Sequence, residues 1–168
     1  MDCLSNEYIL KEGRLSIRGK LNHFDMTRIE MLETTFLENI VLDDRIVRSK
    51  FDKICQVVGL DLNSLVGKEM GKLMTNPSIT FIEKVQICLA RCLYQDFDIF
   101  VISNVFPRLS QQYKLDFFDR IIQQYLLFTT VIYHSNDPVI AHKSDLVLVF
   151  HNNNLVEQGK FSEITKNK

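Results

Sequence analysis

Two short apolar runs end on groups that could react. DIFVIS stops at Ser103, with Asn104 after it, and LFTTVIYH stops at His134. In open α/β sheets, ligands and reacting groups gather beyond the carboxyl ends of the strands. A serine and a histidine there could act as nucleophile and general base. No nucleophile-elbow pattern surrounds Ser103, which argues against a hydrolase of that kind. Two acids at such a strand end would instead hold a divalent cation and polarise a water, as in many nucleotide hydrolases. Ser103 has no charge to offer a cation, and the amide of Asn104 cannot serve as a base.

The remaining candidates form no constellation. His23, His142 and His151 have no partner pattern and read as surface residues. Asp43, Asp44, Asp61, Asp96 and Asp98 read as caps and loop acids rather than a metal cluster. Cys3, Cys55, Cys88 and Cys92 make no CxxC pair, and no histidines stand at zinc-finger spacing. They read as small apolar residues in a reducing compartment. The aromatics Phe117, Phe118, Tyr125 and Phe128 suit helix and strand packing, and RIVRSK a solvated helix face.

Bulk properties narrow the classes further. With 168 residues and 46% apolar content the chain is long enough for a real core. A net charge of -1 and a pI near 6.4 give no field that would draw it to nucleic acid. No apolar run is long enough to span a bilayer, and the opening MDCLSNEYILKEG lacks the basic-then-apolar order of a secretory signal. A cytosolic protein is the expectation.

The elements that would position Ser103 and His134 follow from periodicity. GRLSIRGKLNHF alternates around Gly19 and suggests a short strand pair. TTFLENIVL offers a threonine N-cap to a short helix, and DRIVRSKFDKICQVVGL carries a helical apolar stripe closed by Gly59. DLNSL begins another turn, LVGKEMGKLMTNPSIT reads as loop, and a long helix is expected from Ile79 to Gln95. Then DIFVIS is a buried strand, QQYKLDFFDRIIQQY a helix, LFTTVIYH a strand and DPVIAHKS a short helix. DLVLVF and NLVEQG form a hairpin through Asn152-Asn153 that finishes the sheet, and FSEITKNK a last helix. The fold class expected is α/β with parallel pairing in the centre. One domain is expected over 1–168, with 44–95 as a helical subdomain and 96–168 as the later sheet region.

Three stretches together carry a resemblance: TTFLENIVL, LARCLYQDFDIFVIS and TTVIYHSNDPVIAHKSDLVLVFHNNNLVEQGKFSEI. In order and spacing they resemble the nucleotide-binding domain of an ABC transporter. The subfamily is that of the multidrug-resistance-associated proteins, the cystic fibrosis channel and the sulfonylurea receptors. The resemblance covers roughly Gly13 to Ile164 and implies a partial P-loop NTPase-like domain. Its P-loop, G-x-x-x-x-G-K-[ST], has no counterpart here, since LVGKEMGK has the wrong spacing. The resemblance places that motif, and the strands before it, ahead of Met1.

The resemblance also assigns positions one at a time. Thr27 falls where the family's magnesium-sensing glutamine stands. Ile79 to Glu83, ITFIE, falls on the signature loop L-S-G-G-Q, so that only Thr80 keeps a hydroxyl and Phe81 and Ile82 replace the glycines. Ser103 takes the place of the Walker B aspartate, Asn104 that of the catalytic acid, and Ser110 that of the D-loop aspartate. His134 alone is kept, at the switch-histidine position, and is the one catalytic candidate. MgATP is implied as a cofactor only by this resemblance.

The implied function is that of a degenerate nucleotide-binding domain, or the rear part of one, that does not itself hydrolyse ATP. Its partners would be transporter membrane domains or an intact nucleotide-binding domain, met at the cytosolic face of a membrane. TTFLENI and the helices after it would face the coupling helices of the transporter. The alternative is a standalone protein-interaction module without nucleotide binding. An unrelated α/β enzyme using Ser103 and His134 is the third reading.

Overall fold

The computed structural model describes residues 12–42, 45–61, 79–103 and 110–165. The turn expected at DLNSL, most of the loop LVGKEMGKLMTNPSIT, and Cys3, Asp43, Asp44 and Asn104 lie outside them. The chain divides into two compact units, residues 1–134 and 135–168.

In the first unit, β1 (Leu21–Asp25), β2 (Ile99–Ser103) and β3 (Thr130–Tyr133) form a parallel sheet in that order. The register runs from Leu21↔Ile99 to Asp25↔Ser103 and from Ile99↔Thr130 to Ile102↔Tyr133. The strand pair expected around Gly19 does not form, because residues 14–18 join no strand and β1 pairs with β2 instead. Alternation marks a strand but carries no information about its partner. Gly19 adopts φ +103 and lets the chain pass the Asp98 side chain, whose carboxylate a Cβ would meet at 2.7 Å. The Lys20 N–H donates to that carboxylate at 2.8 Å and so fixes where β1 enters the sheet.

Helices share a core with this sheet. They are α1 (Phe36–Ile40), α2 (Arg48–Val58), α3 (Phe81–Tyr94) and α4 (Gln111–Phe117), which runs on as a π-helical segment, Phe118–Tyr125. The sequence led us to expect one regular helix over the last two. The wider winding lets Phe118 pack edge-on to Tyr133 of β3, with ring centroids 5.7 Å apart. Phe24, Phe100 and Ile102 meet Ile54, Ile87, Leu89, Leu93 and Phe117 in the core. Burying each such side chain contributes about 1.5–3 kcal/mol.

Local chemistry sets the helix ends. Thr35 caps α1 and Thr80 caps α3, each in a capping box with the glutamate at the third helical position. Hydrogen bonds from the Thr34 hydroxyl and from the Thr35 N–H and hydroxyl hold the Glu38 carboxyl below its usual range. Gly59 ends α2 in the left-handed region, as expected, and the Gln86 amide donates to the Val58 and Gly59 carbonyls at 3.0 and 3.1 Å. Val47 has no side-chain cap to give α2; its N–H donates to the Tyr94 hydroxyl at 2.9 Å.

The second unit is built from short pieces. Asp137 caps α5 (Pro138–His142), accepting from the Val139 N–H at 3.0 Å. β4 (Val147–His151) and β5 (Asn154–Gly159) form the expected antiparallel hairpin, but as a two-stranded sheet of their own and not as the end of the parallel sheet. The turn fixes how the two strands pair with each other and says nothing of a further partner. Asn152 and Asn153 turn it with φ 48 and 64, the positive pair that a two-residue hairpin turn demands. α6 (Phe161–Ile164) follows, and Phe161 lies against His142 with ring centroids 5.8 Å apart.

Candidate functional site

The parallel register brings the carboxyl ends of three strands into one row. Asp25 pairs with Ser103, and the step after Ile102↔Tyr133 sets His134 level with Ser103 on the other side. The His134 N–H donates to the Ile102 carbonyl at 3.3 Å, so its backbone continues the sheet while its side chain is exposed. The two strand ends singled out from the sequence are therefore neighbours.

Ser103 is engaged from the other direction. Its Oγ lies 2.7 Å from Nε2 of His23, across 80 positions of sequence, and the residue is only 5% exposed. His23 is half-buried, not the surface residue expected. Position in the chain gave no hint of this pair; only the β1–β2 register makes it, by setting His23 one row in from Asp25. Neither member of the pair brings a carboxylate, so it offers no negative charge to a cation.

Asp25 is the carboxylate of the row. Its Oδ1 accepts from the Thr27 N–H at 2.8 Å and from the Thr27 hydroxyl at 2.7 Å, and Arg28 stands 3.8 Å from its Oδ2. Thr27, the residue at the assigned glutamine position, thus folds back onto Asp25 rather than reaching past the strand ends. Asn104, at the assigned catalytic-acid position, lies outside the described residues.

The other assigned positions act as helix caps. The Thr80 hydroxyl accepts from the Glu83 N–H, and the Glu83 carboxylate accepts from the Thr80 N–H at 2.7 Å. Phe81 and Ile82, standing at the two assigned glycine positions, are 45% and 41% exposed. Their side chains occupy the start of α3, where glycines would let backbone amides approach an anion. Ser110 caps α4, accepting from the Tyr113 N–H at 3.3 Å.

A cleft of about 230 Å³ opens beside this row, lined by His23, Asp25, Arg28, Glu30, Cys88 and Arg91 among others. Arg91 is held there, donating to the Asn39 carbonyl at 2.6 Å, the Asn39 amide oxygen at 2.8 Å and the Glu30 carbonyl at 3.0 Å. Asn39 is fully buried in α1, so these bonds fasten α3 to α1 and to the chain leaving β1. Burial pushes the Cys88 thiol up, and burial followed by its neighbour Cys88 pushes Cys92 up to about 12. Neither thiol is a ready nucleophile, in keeping with the apolar role expected of them. Asp96 and Asp98 are loop acids engaged by Lys50 at 2.9 Å and by the Lys20 N–H.

Among the described residues no group of three His, Cys, Asp or Glu side chains is arranged to hold a metal ion. Nor does any described helix have the length and apolar character to cross a membrane. The residues at the assigned magnesium and signature positions do not fit a magnesium–nucleotide. They offer a buried neutral serine, a threonine folded onto its own turn, and two bulky apolar side chains.

No protein-family model matches this sequence. Individual relatives do match. ABC transporter C family member 6 of Arabidopsis thaliana is 28% identical over 132 residues, which is 76% of this chain and 9% of that protein. ABC transporter C family member 5 of the same plant is 25% identical over 137 residues, again 76% and 9%. ABC transporter C family MRP4 of Zea mays is 29% identical over 82 residues, 49% of this chain and 5% of that protein. The chain spans no more than about a tenth of the length of these curated relatives. Over about three quarters of its own length, the chain is similar to members of the C family of ABC transporters.

Proposed function

We propose that this chain is a nucleotide-binding-domain-like module of C-family ABC transporter type, a partial P-loop NTPase fold without ATP turnover of its own. It acts as a regulatory or scaffolding partner in ATP-driven transport. The observation that carries the reading is the strand end at Ser103, where the hydroxyl is buried on His23 and no carboxylate stands in its place. A carboxylate buried there without its cation would destabilise the fold, whereas a serine–histidine pair is satisfied as it stands. His134, exposed at the next strand end, keeps the assigned switch position without a catalytic acid to serve.

The partners proposed are the membrane domains of a transporter or an intact nucleotide-binding domain, met at the cytosolic face of a membrane. Support comes from the segments flanking α1 and leading into α2, where Leu32, Leu42, Ile46 and Val47 are all exposed. A second reading, a standalone interaction module, draws on the sheet edge: among the described residues no strand pairs with the outer side of β3.

The test combines turnover, ligand-dependent melting and association. Phosphate release from MgATP should stay at the background of buffer alone, and the melt should not move. A nucleotide at 100 times its Kd would add about 2.7 kcal/mol. The purified chain should sediment with membranes carrying a C-family transporter and not with membranes lacking it. Turnover abolished by His134→Ala would overturn the non-hydrolysing reading, and equal sedimentation with both membranes would favour the standalone module.

A further inference from the structure

We propose that Ser16 is a phosphate-acceptor site for a serine/threonine kinase that selects arginine on both sides of its target. This stands apart from the transporter reading and rests on different residues. The sequence there is Gly13-Arg14-Leu15-Ser16-Ile17-Arg18-Gly19, with a guanidinium two positions before the hydroxyl and another two after it. Every residue from Glu12 to Lys20 is exposed, and Arg14 to Arg18 belong to no helix or strand. Gly13 and Gly19 bound the stretch at φ +93 and +103, conformations that let the chain change direction at each end.

A kinase must draw its acceptor into a cleft, so the target needs to leave its own protein without breaking structure. Most hydroxyls of the described chain fail that requirement. Thr35, Thr80 and Ser110 cap helices, Thr27 is bonded to Asp25, Ser103 to His23, Ser144 to the Ile140 carbonyl and Thr165 to the Phe161 carbonyl. Ser16 lies before the first strand, and the contact that anchors the stretch is Lys20 on Asp98, beyond Gly19. Arg14 and Arg18 supply the cationic pair that carboxylates in a kinase cleft would bind, and Leu15 and Ile17 supply apolar contacts between them.

In the transfer step, Ser16 Oγ attacks the γ-phosphorus of ATP. The new O–P bond forms as the bond to the β-phosphate oxygen breaks, ADP departs with that electron pair, and the hydroxyl proton passes to the kinase's carboxylate base. The phosphate adds about -1.5 to -2 charges at neutral pH, which turns a basic stretch near neutral.

The full chain, incubated with MgATP and the catalytic domain of such an arginine-directed kinase, tests this by mass-spectrometric mapping of the phosphate. One phosphate is expected, on Ser16. Ser16→Thr should retain labelling and Ser16→Ala should lose it, both with an unchanged melt, since the side chain anchors nothing described. Replacing Arg14 or Arg18 by Gln should slow labelling about tenfold each, the effect of one charge-assisted hydrogen bond. Phosphate found elsewhere, undiminished labelling of Ser16→Ala, or indifference to both arginines would each overturn the assignment.

Discussion

The two units of this chain hold together by opposite means. Residues 12–134 rely on contacts between segments far apart in sequence: β1 on β2, Arg91 on Asn39, His23 on Ser103. Residues 135–165 rely on neighbours: an Asp137 cap, a two-asparagine turn, a single hairpin. The first unit buries Phe100, Ile87, Leu93 and Phe117 almost completely, whereas in the second Ile140 is the apolar side chain so buried. Leu146, Leu148, Phe150 and Leu155 stay exposed there. A lone two-stranded hairpin is marginal in water, and a covered three-stranded sheet is not. The catalytic-type positions all fall in the first unit, where Thr27, Thr80 and Ser110 bond to near neighbours in sequence while Ser103 is met by His23 from 80 positions away.

That contrast predicts a graded series of losses. Phe100→Ala should cost the most, about 3–5 kcal/mol, because it leaves a cavity beneath the sheet and removes the stack on Phe97 at 5.1 Å. Urea unfolding followed by circular dichroism reads it. A loss near that of an exposed residue would mean that the first unit is not held by its core.

Arg91→Ala should come next, at about 2–3 kcal/mol, because the Asn39 and Glu30 carbonyls and the Asn39 amide oxygen each lose their charged donor. Asn39→Ala should cost a similar amount, and the double mutant much less than the sum, since both belong to one network. Additive losses in that cycle would show that α1 and α3 are fastened by something else.

Thr80→Ala should cost about 1 kcal/mol, as the loss of an N-cap does. This separates the two roles of the position. If Thr80 only caps α3, the whole effect appears in stability and none in association with transporter membranes. An association loss larger than the stability loss would place Thr80 at a working interface.

The thiols sharpen the comparison on the alkaline side. Burial, then the Asp52 charge, lifts Cys55 from 9.0 to about 12, and burial lifts Cys92 to a similar value. The unfolded chain therefore releases these protons first as pH rises. The stability they lend is complete below pH 9 and fades as pH climbs toward 12. Alkylation of the folded chain at pH 8 should accordingly be slow at both and speed up on addition of urea. Fast labelling of Cys55 without denaturant would contradict its burial on the inner face of α2.

These differences also explain what could be read without the structure. The threonine cap before FLENI, the Gly59 stop and the Asn152-Asn153 turn were legible because caps and turns are decided within three or four residues, whereas the caps at Thr80 and Asp137 went unread. The central strands were legible from their apolar runs, and the resemblance pointed to Ser103 and His134. What closed Ser103 off was not legible: His23 lies 80 positions away, and no period in the sequence links them. The supposed strand pair at Gly19 failed for the same reason, since alternation leaves the partner unnamed. The π-helical turn at Phe118–Tyr125 was hidden because its apolar spacing fits a regular helix nearly as well.

The smallest effect should fall in the second unit. Phe150 sits in β4 opposite Leu155, beside an irregular step in the ladder, and remains 62% exposed. Phe150→Ala removes a large ring but almost no buried contact, so the global unfolding free energy should change by less than about 0.5 kcal/mol. Asn153→Ala makes the matched control, because alanine at φ 64 is strained by about 1–2 kcal/mol, and that strain acts on the hairpin alone. If the first unit's melt ignores both variants, the two units are energetically separate, as their different construction implies. A large loss on Phe150→Ala would mean instead that its ring is covered in solution.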